Sequence, residues 1–533
     1  MTVRATVPAA RLRRVGRLNK GCATRIALIA LTLATAACHA TAHPAPPARP
    51  ATPAPPTLPA PPAPAALASL RRDIDAILDA PALARGYWGV VVRSLRNGET
   101  LYERNAHRLM MPASNMKIVT LAAAADRLGW DYTYETQLFT AGPIEGGLLR
   151  GDLVVVGSGD PSLMSADADA VFAGWADALK HAGVRAIAGR VIGDDDRFED
   201  DGLGFGWSWD DLPDDYAAGV SALQFNENAV HVSIAPGPAA GDSAGISIAP
   251  TGSGLAVVGA VTTAAAGAPT AIRARRLPGS MRLELRGTIA AAAPPATLNV
   301  SVDNPTLFYA TAVRDALIAR GIDVRGPAVD LDDVIDALPR SAAPIATHRS
   351  PPLSTLAVRL MKDSQNLYAE TLLKTLSVHA GAPVGTAERG RAEAAAALQA
   401  WGLTAADLIQ RDGSGLSRYD YVTADALVTI LMHIGRDDRL RGPFQASLPI
   451  AGRDGTLANR MKGTAAEGNA RAKTGSMSNV RSTSGYVTSA AGEVLAFSIL
   501  ANNFEVPGST ITATEDAIVV RLATFARRRA SSS

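Results

Sequence analysis

Ser114-Asn115-Met116-Lys117 opens a run through Ile118, Val119 and Leu121 to Leu128, and its apolar spacing predicts a helix over 114–128. Side chains three apart on a helix share a face, with Cβ atoms roughly 5–6 Å apart, so Lys117 reaches back to the Ser114 hydroxyl. A serine hydroxyl is barely nucleophilic near neutral pH and needs a base. An amine serves as that base only when desolvation or a neighbouring cation drives off its proton, and a guanidinium never does. Ile118 and Val119 flank the amine, and Lys473 is a candidate second cation. Free N–H groups at the start of the helix suit an oxyanion beside Ser114. Alone, Ser-x-x-Lys reads as an ordinary helix cap.

Two further motifs follow in order, Ser364-Gln365-Asn366 and Lys473-Thr474-Gly475. Most of the positive charge is arginine; of the six lysines after residue 38, two fall inside the three motifs. Ser364 and Asn366 offer a hydroxyl and a carboxamide two positions apart, ahead of a helix expected over 367–376. Lys473 lies in a strand pattern where Gly475 permits close backbone approach. Taken singly these are a polar loop and a strand edge. The ordered trio points to a serine nucleophile with a lysine base.

Around the motifs, Leu67, Leu70, Ile74, Ile77 and Leu78 mark a helix over 66–80. Residues 88–94 and 100–103, joined at Asn97-Gly98, read as a β-hairpin. Residues 471–474, 483–488 and 494–501 read as antiparallel strands, with a closing helix over 512–527. Early (66–145) and late (346–530) segments thus form two parts of one α+β catalytic domain, helices plus antiparallel sheet. Residues 146–345, short Val/Ile/Leu runs between Gly, Pro and Asp turns, read as a mainly β insertion of one or two subdomains, with helices near 168–182 and 306–320.

Residues 1–38 read as an export signal: Arg11, Arg13, Arg14, Arg17, Lys20 and Arg25 precede an apolar run too short to span a bilayer comfortably. Thr35-Ala36-Ala37-Cys38 resembles a lipoprotein processing site, in which Cys38 carries a lipid; plain signal-peptidase cleavage is the alternative. Residues 39–65 read as a Pro/Ala-rich linker, within which 44–64 make an extended, semi-rigid spacer of on the order of 60 Å. Cys22 and Cys38, the chain's two cysteines, both lie in the leader, which leaves no later disulfide, cysteine nucleophile or thiolate metal site. The leader holds seven of the 52 Lys/Arg and none of the 50 Asp/Glu, so the rest carries five more acids than bases. That argues against a nucleic-acid partner. The eight histidines are scattered without metal-ligand spacing.

With the trio in hand, the sequence resembles the serine penicillin-recognising enzymes. More closely it resembles the low-molecular-mass class C penicillin-binding proteins, the D-alanyl-D-alanine carboxypeptidase/endopeptidase family. Gly157-Ser158-Gly159-Asp160-Pro161, the stretch 207–228, Asp412-Gly413-Ser414-Gly415-Leu416-Ser417-Arg418 and residues 452–457 carry the likeness, as does the 250-residue gap between Ser114 and Ser364. It covers about residues 70–528. The resemblance implies a transpeptidase-like domain and a periplasmic enzyme without cofactor or metal that acts on peptidoglycan stem peptides and is acylated by β-lactams. It implies Ser114 as nucleophile, Lys117 as base and Ser364 as proton carrier to the departing amine. Asn366 would bind a peptide amide, and Lys473, Thr474, Gly475 and Ser476 the terminal carboxylate. The N–H groups of Ser114 and Ser476 would form the oxyanion hole. By motif match, Asp211 and Arg418 would face a diaminopimelate side chain, with Tyr216, Leu416 and Met477 lining the approach. Carboxypeptidase and D-Ala–diaminopimelate endopeptidase chemistry share all these groups. A β-lactamase is the rival in chemistry, but no Glu-x-x-x-Asn of the class A kind lies between Asn366 and Lys473. A non-catalytic wall-binding protein on the same fold is the rival in kind.

Overall fold

A computed structural model describes residues 65–277, 279–336 and 339–527. The expected leader, Cys38 and the spacer up to residue 64 lie outside them. The catalytic fold is built on a five-stranded antiparallel sheet. Its order is Thr100–Arg104, Tyr87–Ser94, Val494–Asn502, Val480–Thr488 and Arg471–Met477. Early and late segments of the described residues thus meet in one sheet. The hairpin turns at Gly98, whose φ of +78° is open to glycine without strain. Val494–Asn502 is apolar on both faces because it is covered on both. Val90 and Val92 face a core with Leu67, Leu70 and Ile74 of the helix Ala65–Leu78 and Ile511 and Ile518 of Gly508–Ala523. Val91, between them, joins the opposite core of helices Met116–Leu128, Asn366–His379 and Ala424–Arg436.

Met116–Leu128 is buried at every residue from Met116 to Ala125. A helix apolar all round belongs at the centre of a core. Lys117 sits on that helix, so its amine is desolvated by the fold itself.

The insertion departs through strand Glu135–Ala141 and returns through Ala346–Arg349, antiparallel neighbours in one sheet. That sheet runs Ala328–Asp330, Val191–Asp194, Asp152–Gly157, Glu135–Ala141, Ala346–Arg349. Helices Ser165–His181 and Pro305–Ala319 pack in the same core, close to the expected positions. Pro305 stands in the first turn of the second, where a missing N–H costs nothing, and Asn304 caps it by accepting from Leu307 N at 2.7 Å. Two three-stranded sheets follow within 229–301. One is Gly245–Ala249, Ala229–Ala235, Ala296–Ser301; the other is Ala256–Ala264, Arg282–Ala290, Ala271–Arg275. The whole is α+β, helices with several antiparallel and mixed sheets.

The insertion is bolted to the second motif. Arg359 grips Glu227 with two hydrogen bonds, of 2.8 and 2.9 Å, and Gln365 Nε2 donates to the same carboxylate at 2.7 Å. Asn226, Glu227 and Asn228 all have φ between +51° and +55°, a strained turn that these bonds hold. Because Arg359 is 44% exposed, Glu227→Ala is expected to cost only about 1–2 kcal/mol, read by denaturant unfolding. It should also slow penicillin acylation by freeing Gln365 beside Ser364.

Candidate active site

Ser114 lies in a 3₁₀ turn, Ala113–Asn115, and the α-helix begins at Met116 rather than at Ser114. Ala113 has φ +46°, which turns the chain sharply before the serine. The three-residue spacing survives this turn: Lys117 Nζ donates to Ser114 Oγ at 3.0 Å. In its protonated form the amine also donates to Asn366 Oδ1 at 2.5 Å and Ser414 O at 2.9 Å, which uses all three of its donors. Burial lowers its pKa to about 7 against the opposing pull of Asp412, Glu370 and Asp420. Desolvation, not Lys473, therefore lowers the proton affinity of the amine. The repulsion between the two amines shows on Lys473, which burial first and Lys117 second hold well below the usual lysine range.

Lys473 Nζ donates to Ser364 Oγ at 2.8 Å and to Thr474 O at 2.7 Å, leaving one donor for a ligand. Ser364 takes a left-handed φ of +63°, unusual for serine. Asn366 is engaged at both ends, accepting from Lys117 and donating Nδ2 to Tyr216 O at 2.7 Å. Thr474 Oγ1 donates to Thr456 Oγ1 at 2.7 Å.

Gly475 allows the strand to lie against the serine turn. A Cβ there would meet Ser482 Oγ at 2.3 Å, Pro112 O at 2.8 Å and Ser114 N at 2.9 Å. Gly475→Ala should therefore push the strand off Ser114 and lower the acylation rate about 100-fold, measured by penicillin-binding kinetics.

Ser114, Ser364, Asn366, Leu416, Arg418, Ser476 and Met477 line one cleft of about 720 Å³, with Asp211 and Tyr216 from the insertion. Lys117 and Lys473 are buried beneath it. Tyr216 OH donates to Asp211 Oδ1 at 2.9 Å; burial, then Asp211 and Asp214, raise its pKa. Arg418 is exposed at the rim, its Nη1 near Ser478 O at 3.5 Å. The structure thus brings together every predicted residue of the described chain, with Thr474 and Gly475 on the strand flanking the cleft.

Several residues carry the site without having been read from the sequence. Asn115 Nδ2 donates to Ser482 Oγ at 2.6 Å and Lys473 O at 3.3 Å, tying the first motif to the third. Glu370, one turn beyond Asn366, accepts from Gly413 N and Ser414 N and so aims Ser414 O at Lys117. Burial, then Asp412, pushes Glu370 up to about 8. Trp207 Nε1 donates to Asp412 Oδ2 at 2.9 Å, joining the insertion to the Asp412–Arg418 loop. The helical spacing of Asn366 and Glu370 was the available signal; nothing local aimed Asn115 or Trp207.

A serine paired with a buried lysine, under a second serine–lysine pair on a sheet edge, defines a penicillin-recognising serine hydrolase. Residues 70–525 match the family described as D-Ala-D-Ala carboxypeptidase 3 (S13). The chain is 38% identical over 476 residues to the D-alanyl-D-alanine carboxypeptidase of Actinomadura sp. (strain R39), covering 86% of each. It is 27% identical to a D-alanyl-D-alanine carboxypeptidase of Haemophilus influenzae, over 78% of this chain and 85% of that protein. The crystal structure of penicillin binding protein 4 from Haemophilus influenzae superposes with a TM-score of 0.75 at 26% identity, covering 85% of this chain and 99% of that one. A second structure of that protein, complexed with a β-lactam, superposes at 0.67 with 25% identity, over 84% and 97%. The chain belongs to the S13 D-Ala-D-Ala carboxypeptidase family, the low-molecular-mass class C penicillin-binding proteins, and is a serine-type hydrolase. No helix among the described residues is long and apolar enough to cross a membrane.

Proposed function

We propose that this enzyme cleaves D-Ala-D-Ala and D-Ala–diaminopimelate bonds of peptidoglycan stem peptides through an acyl-enzyme on Ser114. The observation that carries it is Lys117 Nζ, 3.0 Å from Ser114 Oγ with its pKa lowered to about 7. A base with that pKa is half neutral at physiological pH. Lys117 takes the Ser114 proton as Oγ attacks the carbonyl of the penultimate D-alanine. The N–H groups of Ser114 and Ser476 hold the oxyanion. Ser364, bonded to Lys473, hands a proton to the departing amine and is reprotonated at the expense of the ammonium formed on Lys117, and water then releases the acyl group and restores the Ser114 hydroxyl. The free donor of Lys473, with Thr474 and Ser476, holds the terminal carboxylate. That carboxylate, once seated, favours the charged form of Lys473. Asn366 Oδ1 has a second lone pair for a peptide N–H. Asp211, presented by Tyr216, and Arg418 suit the amino and carboxylate groups of a diaminopimelate side chain, with Leu416 and Met477 beside them. A β-lactam presents a similar carbonyl and carboxylate and acylates Ser114. Residues 1–38, read as an export signal, would carry the enzyme to the periplasm, and a lipid on Cys38 would tether it to the membrane.

Stem pentapeptide and crosslinked muropeptides, incubated with the enzyme and read by chromatography, should lose D-alanine and fall to monomers. Penicillin should add one penicilloyl mass to the Ser114 peptide, and a chromogenic cephalosporin should give a burst without turnover. An adduct on another residue, or sustained cephalosporin hydrolysis, overturns this reading.

A further inference from the structure

A second groove, of about 740 Å³, opens off the insertion side of the cleft, and Trp209 lines both. Its floor is the solvent face of the sheet Ala256–Ala264, Arg282–Ala290, Ala271–Arg275, whose other face, through Leu283 and Leu285, is core. Along the edge strand, Arg273 and Arg275 alternate outward between half-buried Ile272 and Ala274. Arg273 pairs directly with Arg286 across the ladder. Like charges in that position repel, and nothing in the sheet requires them.

Most other charges here are matched. Arg286 is paired with Glu284, and Arg276 is buried against Asp303 at 2.8 Å. Arg275 lies opposite Glu284 in the ladder and Asp210 also lines the groove, but neither Arg273 nor Arg275 has a carboxylate within ion-pair distance among the described residues. The Arg275 guanidinium lies 5.6 Å from the Trp209 ring centroid, and Trp209 is 57% exposed. A large exposed aromatic ring beside four arginines, set against the two carboxylates of Asp210 and Glu284, is the composition of a contact surface for an anionic group.

We propose that this groove binds a carboxylate-bearing segment of the stem peptide, upstream of the scissile bond. The inference rests on the peptidase reading above. The side follows from the lining: the groove joins the cleft at Trp209, two residues from Asp211, and not at the Lys473–Thr474 strand. The enzyme would thereby prefer stem peptides with free upstream carboxylates to their amidated counterparts.

The test compares full-length enzyme with Arg273→Ser/Arg275→Ser and with the charge reversal Arg273→Glu. Two pentapeptides are used, one with its carboxylates upstream of the diaminopimelate residue free and one with those amidated, both keeping the diaminopimelate side-chain carboxylate assigned above to Arg418 and the free C-terminal carboxylate. Exposed charge pairs are worth little each, so the wild-type preference for the free form should be about 3–10-fold in KM with kcat unchanged. The preference should shrink as salt rises, vanish in the double variant and invert in Arg273→Glu. Penicillin acylation, which involves a ligand too short to reach the groove, should be unchanged in all three. Equal KM values for the two peptides in the wild type, or equal losses for both in the variants, overturn the groove; arginines that merely guard an exposed sheet edge would behave that way. Protection by inorganic polyphosphate without any peptide preference overturns it too, in favour of a phosphate polymer. A wild-type enzyme that neither labels with penicillin nor releases D-alanine instead removes the underlying peptidase reading.

Discussion

Ser114→Ala is expected to leave a folded protein that takes up no penicillin and releases no D-alanine, a loss of at least about 10⁴-fold. In the proposed mechanism Ser114 Oγ is the atom to which the acyl group bonds, and no water held in its place can form that ester. The fold should tolerate the change. Ser114 is half-buried on the cleft wall, and without Oγ the Lys117 amine still has Asn366 Oδ1 at 2.5 Å and Ser414 O at 2.9 Å. One lost hydrogen bond of this kind costs about 1 kcal/mol. Fluorescent-penicillin labelling, D-alanine release and a thermal melt on the same preparation check the three parts. Labelling that persists in a folded Ser114→Ala protein assigns the nucleophile elsewhere.

The second large effect belongs to Lys117. If its neutral amine is the base, the second-order acylation rate should rise about tenfold per pH unit below 7 and level off above it, since burial holds the pKa at about 7. Lys117→Arg should flatten that limb and cost about 10²–10⁴-fold, because a guanidinium keeps its proton at any pH the fold survives. Stability moves with the same group, and its sign is fixed by linkage. The folded pKa, about 7, lies below the unfolded value of about 10.4. Between these values the unfolded chain binds a proton that the folded chain does not. The Lys117 contribution to stability therefore rises with pH across that window and is flat below it. Below pH 7 the fold carries the full penalty of a buried ammonium, on the order of 5 kcal/mol. Stopped-flow acylation across pH 5–9, with wild type and Lys117→Arg in parallel, checks the kinetic half. A flat wild-type profile would remove Lys117 from the role of base.

How much of this was visible in the linear chain differs from group to group. The Ser114–Lys117 pair was legible because it is local: three residues of near-helical backbone bring hydroxyl and amine together, even with the 3₁₀ turn that displaces the helix start to Met116. The sheet strands were legible through their apolar runs, though Arg471–Met477 extends past Thr474 to carry Ser476 and Met477 to the cleft rim. Ser364 and Lys473, 109 residues apart, meet at 2.8 Å, and no periodicity connects them. Only the family likeness of the ordered motifs put them in one site. Asn115, the residue between nucleophile and helix, passes in sequence for a helix-cap side chain. Its carboxamide instead clamps Ser482 and the Lys473 carbonyl.

The chain by itself determined the chemistry available: one serine beside one lysine, a second serine and lysine downstream, and a gap long enough to hold an insertion. These follow from covalent spacing and from the irreplaceability of an amine that must give up its proton. Tertiary structure alone brings the pKa of this amine down to about 7. The lowered pKa of Lys117 comes from a helix enclosed on all sides, and its aim comes from Glu370 and Trp207 fixing the Asp412–Arg418 loop. Desolvation is a property of everything packed around a group, and no neighbour in sequence encodes it.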